Sequence, residues 1–360
     1  YEHDGPDEVA TEYTAIRPDF AQTGSPRLPH GLNLGAQLHY QKAAFQAKFA
    51  RVRTILTYPQ YWAYRLSGVA ACEVTSLGCH TDLWLPGEDE FSPLVDKLEI
   101  RHLLAPVRSA FDPLGPLLPE VAAAIGLETP VPVFCGIHDS NASLLPHLVV
   151  RKPPFTVVST GTWVVNFAVG GDLEHLDPAR DTLANVDALG RAVPSSRFMG
   201  GREFEMLAAQ LGELDQEAAS AALSSTVEKK LMLLPNLASG SGPFPDHQSR
   251  WINDHDADRH ERWAAACLHL ALMTNTCLDL IGAKGPVLVE GPFALNGLYM
   301  RLLSAITRRT VLPLPGTTGT LQGAAVLTGH RPDVSSCEPV VSVRIAGLEP
   351  YRSAWLAHLG

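Results

Sequence analysis

The sequence predicts an α/β protein of two domains, on three observations. Apolar strand-like runs alternate with helix-period segments along most of the chain, the pattern of a sheet covered by helices. At 360 residues, the chain is longer than one hydrophobic core usually organises. The pair Pro153-Pro154 punctuates the pattern near its middle. Residues 1–150 therefore form one predicted domain and 151–360 the second.

Residues 1–30 are charged and Pro-rich, with no strand pattern. Leu34 to Phe49 has helical spacing. YPQYWAYRL (58–66) reads as an aromatic helix ended by Ser67-Gly68, because glycine tolerates the left-handed closing conformation. ACEVTSLGCHTDLW (71–84) is polar and small and reads as a loop over a cleft. Leu103 to Ile125 mixes Pro-broken turns with the short helix PEVAAAIG. Pro130 to Gly136 is a strand. FTVVSTGTWVVNFAVGG (155–171) is two strands joined by a Ser-Thr-Gly-Thr turn. FMGGREFEMLAAQLG (198–212) is a glycine turn into an amphipathic helix, and NLASGSGPFP (236–245) is a loop. A long helix ends at Gly285. GPVLVEGPFALNGLYMRLLSAI (285–306) reads as strand, tight turn, helix. TVLPLPGTTGTLQGAAVLTG (310–329) reads as strand, Gly-Thr-rich loop, small-residue helix.

Composition removes several function classes. The net charge of −10 repels nucleic-acid backbones and anionic membranes. Six cysteines, at 72, 79, 135, 267, 277 and 337, form no C-x-x-C pair. They read as reduced, mostly buried thiols of a cytoplasmic protein, not as a zinc site. The apolar stretch Trp263 to Ile281 is interrupted by His269, Thr274, Asn275 and Asp279, so it reads as a buried helix and not a membrane span. No lysine precedes Ser or Thr, which excludes a Walker A loop. There is no G-x-S-x-G elbow and no H-E-x-x-H.

Four places could carry chemistry. In CGIHDSNASLL, Asp139 follows a strand and opens a helix. It is either a general base or an ordinary helix cap. His138 beside it is a core or hinge histidine, or a catalytic group. STGTW (159–163) makes a hydroxyl-bearing turn that suits phosphate oxygens or is a plain hairpin. VEGPFALN (289–296) and GTTGTLQGAA (316–325) both place glycine at a strand-to-helix turn, where a ligand can approach the backbone closely. DHDAD (254–258) lacks the glycine and terminal glutamate of a calcium loop and reads as a solvated helix start.

In this order, YPQYWAYRLSGV, ACEVTSLGCHTDLW, GIHDSNASLL, VVSTGTW, FMGGREFEML, VEGPFALN and GTTGTLQGAA resemble the FGGY family of carbohydrate kinases, over most of residues 30 to 330. The resemblance is strongest to ketose kinases, including those for L-fuculose, L-rhamnulose and xylulose. It implies two ribonuclease-H-like domains, as in actin and heat-shock ATPases, with ATP and sugar meeting in an interdomain cleft. It implies Asp139 as the catalytic base that takes the sugar hydroxyl proton, with ATP and Mg²⁺ supplying the phosphoryl group and its charge neutralisation. It maps ATP contacts to Thr160, Gly161, Thr162, Gly201, Glu205, Gly291 and Asn296. Candidate sugar contacts are His138 and, from the loop before the first domain's last strands, His80, Asp82 and Trp84; Trp84 either stacks on a sugar's apolar face or is a packed loop tryptophan. No protein metal ligand is assigned. The expected partner is a small-molecule sugar, with neither nucleic acid nor membrane, in a cytoplasmic enzyme that is a homodimer by default.

The chain departs from the family in places. Pro292 stands where a second glycine is usual, Glu205 where Gln is as common, and Arg301 where relatives often carry Gln. Nothing near YEHDGPDEV resembles the family's opening phosphate hairpin or its later His-Gly. The first domain is therefore expected to lack its opening strands, with the native product starting well before Tyr1. Two rival functions share the residues: a catalytically degenerate sugar or nucleotide sensor of the same fold, and a nucleotide-independent hydrolase using Asp139 and His138.

Overall fold

The computed structural model describes residues 3–28, 31–314, 319–332, 338–341 and 344–360. Residues 316–318 of the Gly-Thr-rich loop, and Cys337, lie outside the described residues. The chain forms two compact units. Unit 1 is Tyr1–Val150, Leu183–Val193 and Thr318–Asp333; unit 2 is Arg151–Thr182, Pro194–Thr317 and Val334–Gly360.

Unit 1 is mostly helical. Apart from residues 183–193, its strands are short antiparallel pairs, β1 (Trp84–Leu85) with β2 (Glu90–Phe91) and β3 (Pro113–Pro116) with β4 (Pro132–Phe134). One core cluster gathers Tyr13, Leu38, Leu83, Leu94 and Ile100, and another gathers Cys72, Leu77, Trp84 and Val186. The helix predicted from Leu34 to Phe49 breaks at Phe45, so the elements are Leu34–Ala44 and Gln46–Phe49. The helix Tyr58–Ser67 ends at Gly68 in the left-handed conformation, φ 74°, as its Ser-Gly ending predicts. Segment 71–84 is not wholly loop. Val74–Leu77 forms one helical turn, because the Glu73 carboxylate accepts from the amides of Thr75 and Ser76 and satisfies donors that a turn of this length leaves open.

The helix Asp139–Val150 contains Pro146. Proline has no N–H to offer the carbonyl four residues back, here Ala142. The helix Gly319–Leu327 packs against this helix. A Cβ on Gly323 would stand 1.8 Å from the Ala142 oxygen, so only glycine lets the two backbones approach so closely.

Unit 2 is built on a mixed sheet. The strands of that sheet are β5 (Phe155–Thr160), β6 (Val164–Val169), β7 (Thr182–Val186), β8 (Ala192–Phe198), β11 (Val287–Glu290) and β12 (Val311–Leu314), of which residues 183–193 are counted in unit 1. A separate antiparallel pair is β9 (Met232–Leu234) with β10 (Arg250–Ile252). The six-stranded order is β12-β11-β5-β6-β8-β7. β12, β11 and β5 run parallel, and β5, β6 and β8 are antiparallel neighbours. β11 is buried at all four residues, which is why it reads as a continuous apolar run. The β7–β8 hairpin has no counterpart in the sequence reading. At its tip the Asp187 carboxylate accepts from the amides of Leu189 and Arg191.

The helix Arg259–Leu280 crosses the core of unit 2 and starts on a capping box of Asp258 and Glu261. DHDAD is thus a helix start. The polar residues inside this apolar run all have partners. His269 meets Glu203, Thr274 bonds Leu270 O and the Tyr299 hydroxyl, and Asn275 donates to Asp279. Among the described residues, no helix is long and apolar enough to cross a membrane. The five described cysteines are free and buried.

Candidate active site

In unit 1 the chain leaves β4, reverses at Gly136 (φ 84°) and enters the helix that begins at Asp139. Two buried side chains fix this turn. Gln60 Nε2 donates to the carbonyls of Cys135 (3.2 Å) and Gly136 (3.3 Å). Thr75 Oγ1 accepts from the His138 amide at 2.9 Å and donates to the Glu73 carboxylate at 2.5 Å. The first helical bond runs from the Ala142 amide to the His138 carbonyl, 2.8 Å, so His138 occupies the cap position. Asp139 Oδ1 accepts only from its neighbour Ser140, from N at 2.6 Å and Oγ at 3.3 Å. A capping carboxylate would bond two or three residues on. Instead the Asp139 side chain is 79% exposed and points a carboxylate outward from a rigid turn.

The other unit 1 candidates are placed differently. His138 lies beside Asp139, Nδ1 to Oδ1 3.3 Å. His80 sits in a left-handed turn, φ 41°, with Nδ1 3.0 Å from the Leu32 carbonyl. The buried Asp82 carboxylate accepts from the Tyr13 hydroxyl (2.5 Å) and pairs with Arg17 (2.8 Å). Burial pushes the Asp82 carboxyl above its ordinary value, against the pull of Arg17 and the Tyr13 bond. Trp84 is 4% exposed and meets Phe91 edge-on. Asp82 and Trp84 are therefore occupied within the interior of unit 1, and only His138 is at the Asp139 carboxylate.

In unit 2 the glycines converge. Thr160 Oγ1, at the end of β5, donates to the Glu290 carbonyl at the end of β11 and accepts from the Phe293 amide at 3.1 Å. A Cβ on Gly291 (φ 78°) would lie 1.9 Å from the Thr160 carbonyl oxygen. One on Gly201 would lie 1.8 Å from that of Gly161. The Gly161 amide closes its own turn on the Trp163 carbonyl (2.9 Å), and the Arg202 amide bonds the Thr162 carbonyl (3.2 Å). Thr160, Gly161, Thr162, Gly201 and Gly291 thus form one cluster, with Gly161 and Thr162 exposed. Gly201→Ala is expected to push the turn away from its helix at a cost of ~1–3 kcal/mol, read as a lowered unfolding temperature in a thermal melt.

Glu205 stands apart on the solvent side of its helix, paired with Arg202 at 3.3 Å. Asn296 is buried. Its Oδ1 caps the helix Gly297–Thr307 through the Tyr299 amide (3.0 Å), and its Nδ2 meets Cys267 Sγ at 3.6 Å. Next to these residues lies a cavity of about 360 Å³, with Phe204, Ala208, Leu214, Pro292, Leu295 and Asn296 among its lining. Its mostly apolar wall suits a flat ring. Pro292 opens the 3-10 turn Pro292–Leu295, a position whose N–H has no helical partner to lose. The departure from glycine is accommodated by the turn. Gln60, Glu73 and Thr75, which build the Asp139 turn, are missed by the sequence reading. Among the described residues, no group of three or more His, Cys, Asp or Glu is placed to hold a metal ion.

A rigidly presented carboxylate, and a glycine-lined hydroxyl turn beside an apolar cavity, are parts suited to phosphoryl transfer. Residues 152–336 match the family described as carbohydrate kinase FGGY, C-terminal domain. A carbohydrate kinase from Novosphingobium aromaticivorans is 40% identical, with a TM-score of 0.90 over 98% of this chain and 78% of its own. Xylulose kinase from Rhodospirillum rubrum is 20% identical, with a TM-score of 0.78 over 99% of this chain and 76% of its own. Gluconate kinase from Lactobacillus acidophilus is 14% identical, with a TM-score of 0.78 over 98% of this chain and 75% of its own. These last two share the fold. Comparison with curated protein sequences gives no match. The chain belongs to the FGGY family of carbohydrate kinases. It is accordingly a sugar-phosphorylating enzyme of the α/β class, in a family that uses ATP.

Proposed function

We propose that the protein transfers the γ-phosphate of ATP to a hydroxyl of a ketose such as L-fuculose, L-rhamnulose or xylulose, with Asp139 as the catalytic base. The observation that carries this reading is the uncapped, exposed Asp139 carboxylate, held by a turn that Gln60 and Thr75 fix from behind. Asp139 accepts the hydroxyl proton as the sugar oxygen attacks the γ-phosphorus, and ADP leaves. In unit 2 the exposed Gly161–Thr162 turn takes phosphate oxygens, Gly201 and Gly291 keep the backbone close, and the cavity at Pro292 and Asn296 takes the adenine. The two units then correspond to the family's two ribonuclease-H-like domains. Mg²⁺ is brought on the nucleotide phosphates, and no step is assigned to a protein-bound metal. The setting is the cytoplasm, where ATP and reduced thiols coexist, and the enzyme is a homodimer by the common rule.

A degenerate sensor is the rival reading, and Pro292 is the observation that favours it. The two separate in one assay. The protein is incubated with ATP, Mg²⁺ and a panel of ketoses, and ADP release is followed beside thermal unfolding. Sugar-dependent ADP release is the expected result. Stabilisation by ligand with no turnover for any sugar would replace the kinase by the sensor.

A further inference from the structure

The stretch Glu73-Val74-Thr75-Ser76 belongs to a segment that reads as a polar loop, yet Glu73 and Thr75 are both fully buried. Taking a carboxylate out of water is costly unless its oxygens are bonded. Glu73 Oε1 accepts from the Thr75 amide (3.0 Å). Its Oε2 accepts from the Thr75 hydroxyl (2.5 Å), the Ser76 amide (3.2 Å) and, at longer range, the Ser76 hydroxyl (3.4 Å). The two amide bonds cap the helical turn Val74–Leu77. The hydroxyl bond goes further, because Thr75 Oγ1 also receives the His138 amide at 2.9 Å, from 63 residues along the chain.

Counting protons fixes the direction of this relay. A threonine hydroxyl has one hydrogen to give. The His138 N–H can only donate, so Thr75 Oγ1 receives it and turns its own hydrogen to Glu73. That needs an acceptor. A protonated acid, or an amide nitrogen in the same place, would set two donors against each other. The four bonds to Glu73 also oppose the burial that raises its carboxyl above the ordinary value.

We propose that Glu73 and Thr75 are positioning residues for the phosphoryl transfer: the Glu73 carboxylate, through the Thr75 hydroxyl, holds the backbone at His138 and so sets the direction in which Asp139 presents its own carboxylate. The proposal rests on the reading of Asp139 as the base. The Asp139 side chain bonds only Ser140, so its aim is inherited from the backbone on either side. His138 is tied at its amide by Thr75 and at its carbonyl by the Ala142 amide. Gln60 ties the carbonyls of Cys135 and Gly136 ahead of it. Two separate elements of unit 1 therefore clamp the turn, the helix Tyr58–Ser67 and the turn Val74–Leu77. A reacting group displaced by about 1 Å can cost about 10²-fold in rate.

The test is steady-state ADP release with ATP, Mg²⁺ and the fastest ketose of the panel, beside thermal melts. Thr75→Val keeps the shape and removes both side-chain bonds. Its kcat should fall roughly 10- to 100-fold with KM for ATP unchanged, since the proposed nucleotide residues belong to unit 2. Thr75→Ser keeps the hydroxyl and should restore kcat. Glu73→Gln should follow Thr75→Val. On an Asp139→Asn background Thr75→Val should cost little more, because a misaimed base and a missing one are equivalent. Unchanged kcat in Thr75→Val, a Thr75→Ser variant as slow as Thr75→Val, or the full loss repeated on the Asp139→Asn background overturns the proposal. Should the Thr75→Val and Glu73→Gln variants fail to fold, hydrogen exchange of the unaltered protein decides: the His138 amide should be protected, and fast exchange there overturns the proposal. Full turnover in Asp139→Asn defeats the reading of Asp139 as the base and the proposal with it, whereas a loss repeated on that background defeats the proposal alone.

Discussion

Replacing Asp139 by asparagine should lower kcat by about 10²–10⁴-fold, the range contributed by a positioned general base, while the unfolding temperature stays where it was. The second half of that expectation follows from geometry. The side chain is 79% exposed and bonds only Ser140 within its own turn. Asparagine is isosteric, keeps an acceptor oxygen for the Ser140 amide and loses only the basic lone pair. The turn is held by Gln60, Thr75 and the His138 carbonyl, none of which touches the substituted atoms. A large fall in unfolding temperature would mean that the carboxylate serves the fold. A kcat within a factor of a few of the original would remove Asp139 from the chemistry. The measurement is steady-state ADP release beside a thermal melt.

The largest stability effect is expected at Glu203. Its carboxylate is 1% exposed, with Oε2 3.1 Å from His269 Nε2 and Oε1 accepting from the amides of Leu237 (3.1 Å) and Ala238 (3.3 Å). Glu203→Ala leaves three polar groups without this acceptor, His269 and Ala238 on buried residues and Leu237 on a partly buried one. Each buried donor left unsatisfied costs about 1–3 kcal/mol, so the summed fall is on the order of 10 °C for a unit of this size. Glu203→Gln keeps one acceptor oxygen and should lose less. If the turn at Gly161 binds nucleotide as proposed, the damage should also reach ATP binding. Glu203 lies in the same first turn as Gly201, whose Cα faces the Gly161 carbonyl, and it ties that helix to the 236–245 loop. Thermal melts with and without ATP check both parts. An alanine variant as stable as the parent would show that the loop finds other partners.

Much of unit 2 was legible because its signals are local. β5 and β11 are apolar runs closed by glycine turns, and Asp258 with Glu261 spells a capping box in four residues. The β7–β8 hairpin escaped because its strands, TLANV and AVPSSRF, mix small and polar residues whose burial comes from neighbours far away in sequence. Unit 1 was harder for the same reason. Its helix Val74–Leu77 exists because Glu73 caps it, and a glutamate in a polar stretch carries no such label. The site divides likewise. Asp139 and the turn glycines could be named as candidates from motif order. Gln60 and Thr75 could not, since each acts on a backbone group more than sixty residues away. Asp82 and Trp84 show the converse. A polar and aromatic loop suggested a sugar surface, whereas Tyr13, Arg17 and Phe91 take those side chains inward.

Pro146 leaves the Ala142 carbonyl open, and Gly323 is the residue that comes to rest on it. On the ribosome the helix bearing Asp139 emerges well before its packing surface, which is not made until residues 319–327 have been synthesised. Folding of unit 1 must therefore wait for the strands and helices of unit 2 to be translated. A nascent chain halted between the two segments holds Asp139 on a helix with one wall missing. The helix that carries Asp139 thus takes its finished form only after residues 319–327 are made, once most of unit 2 has been translated.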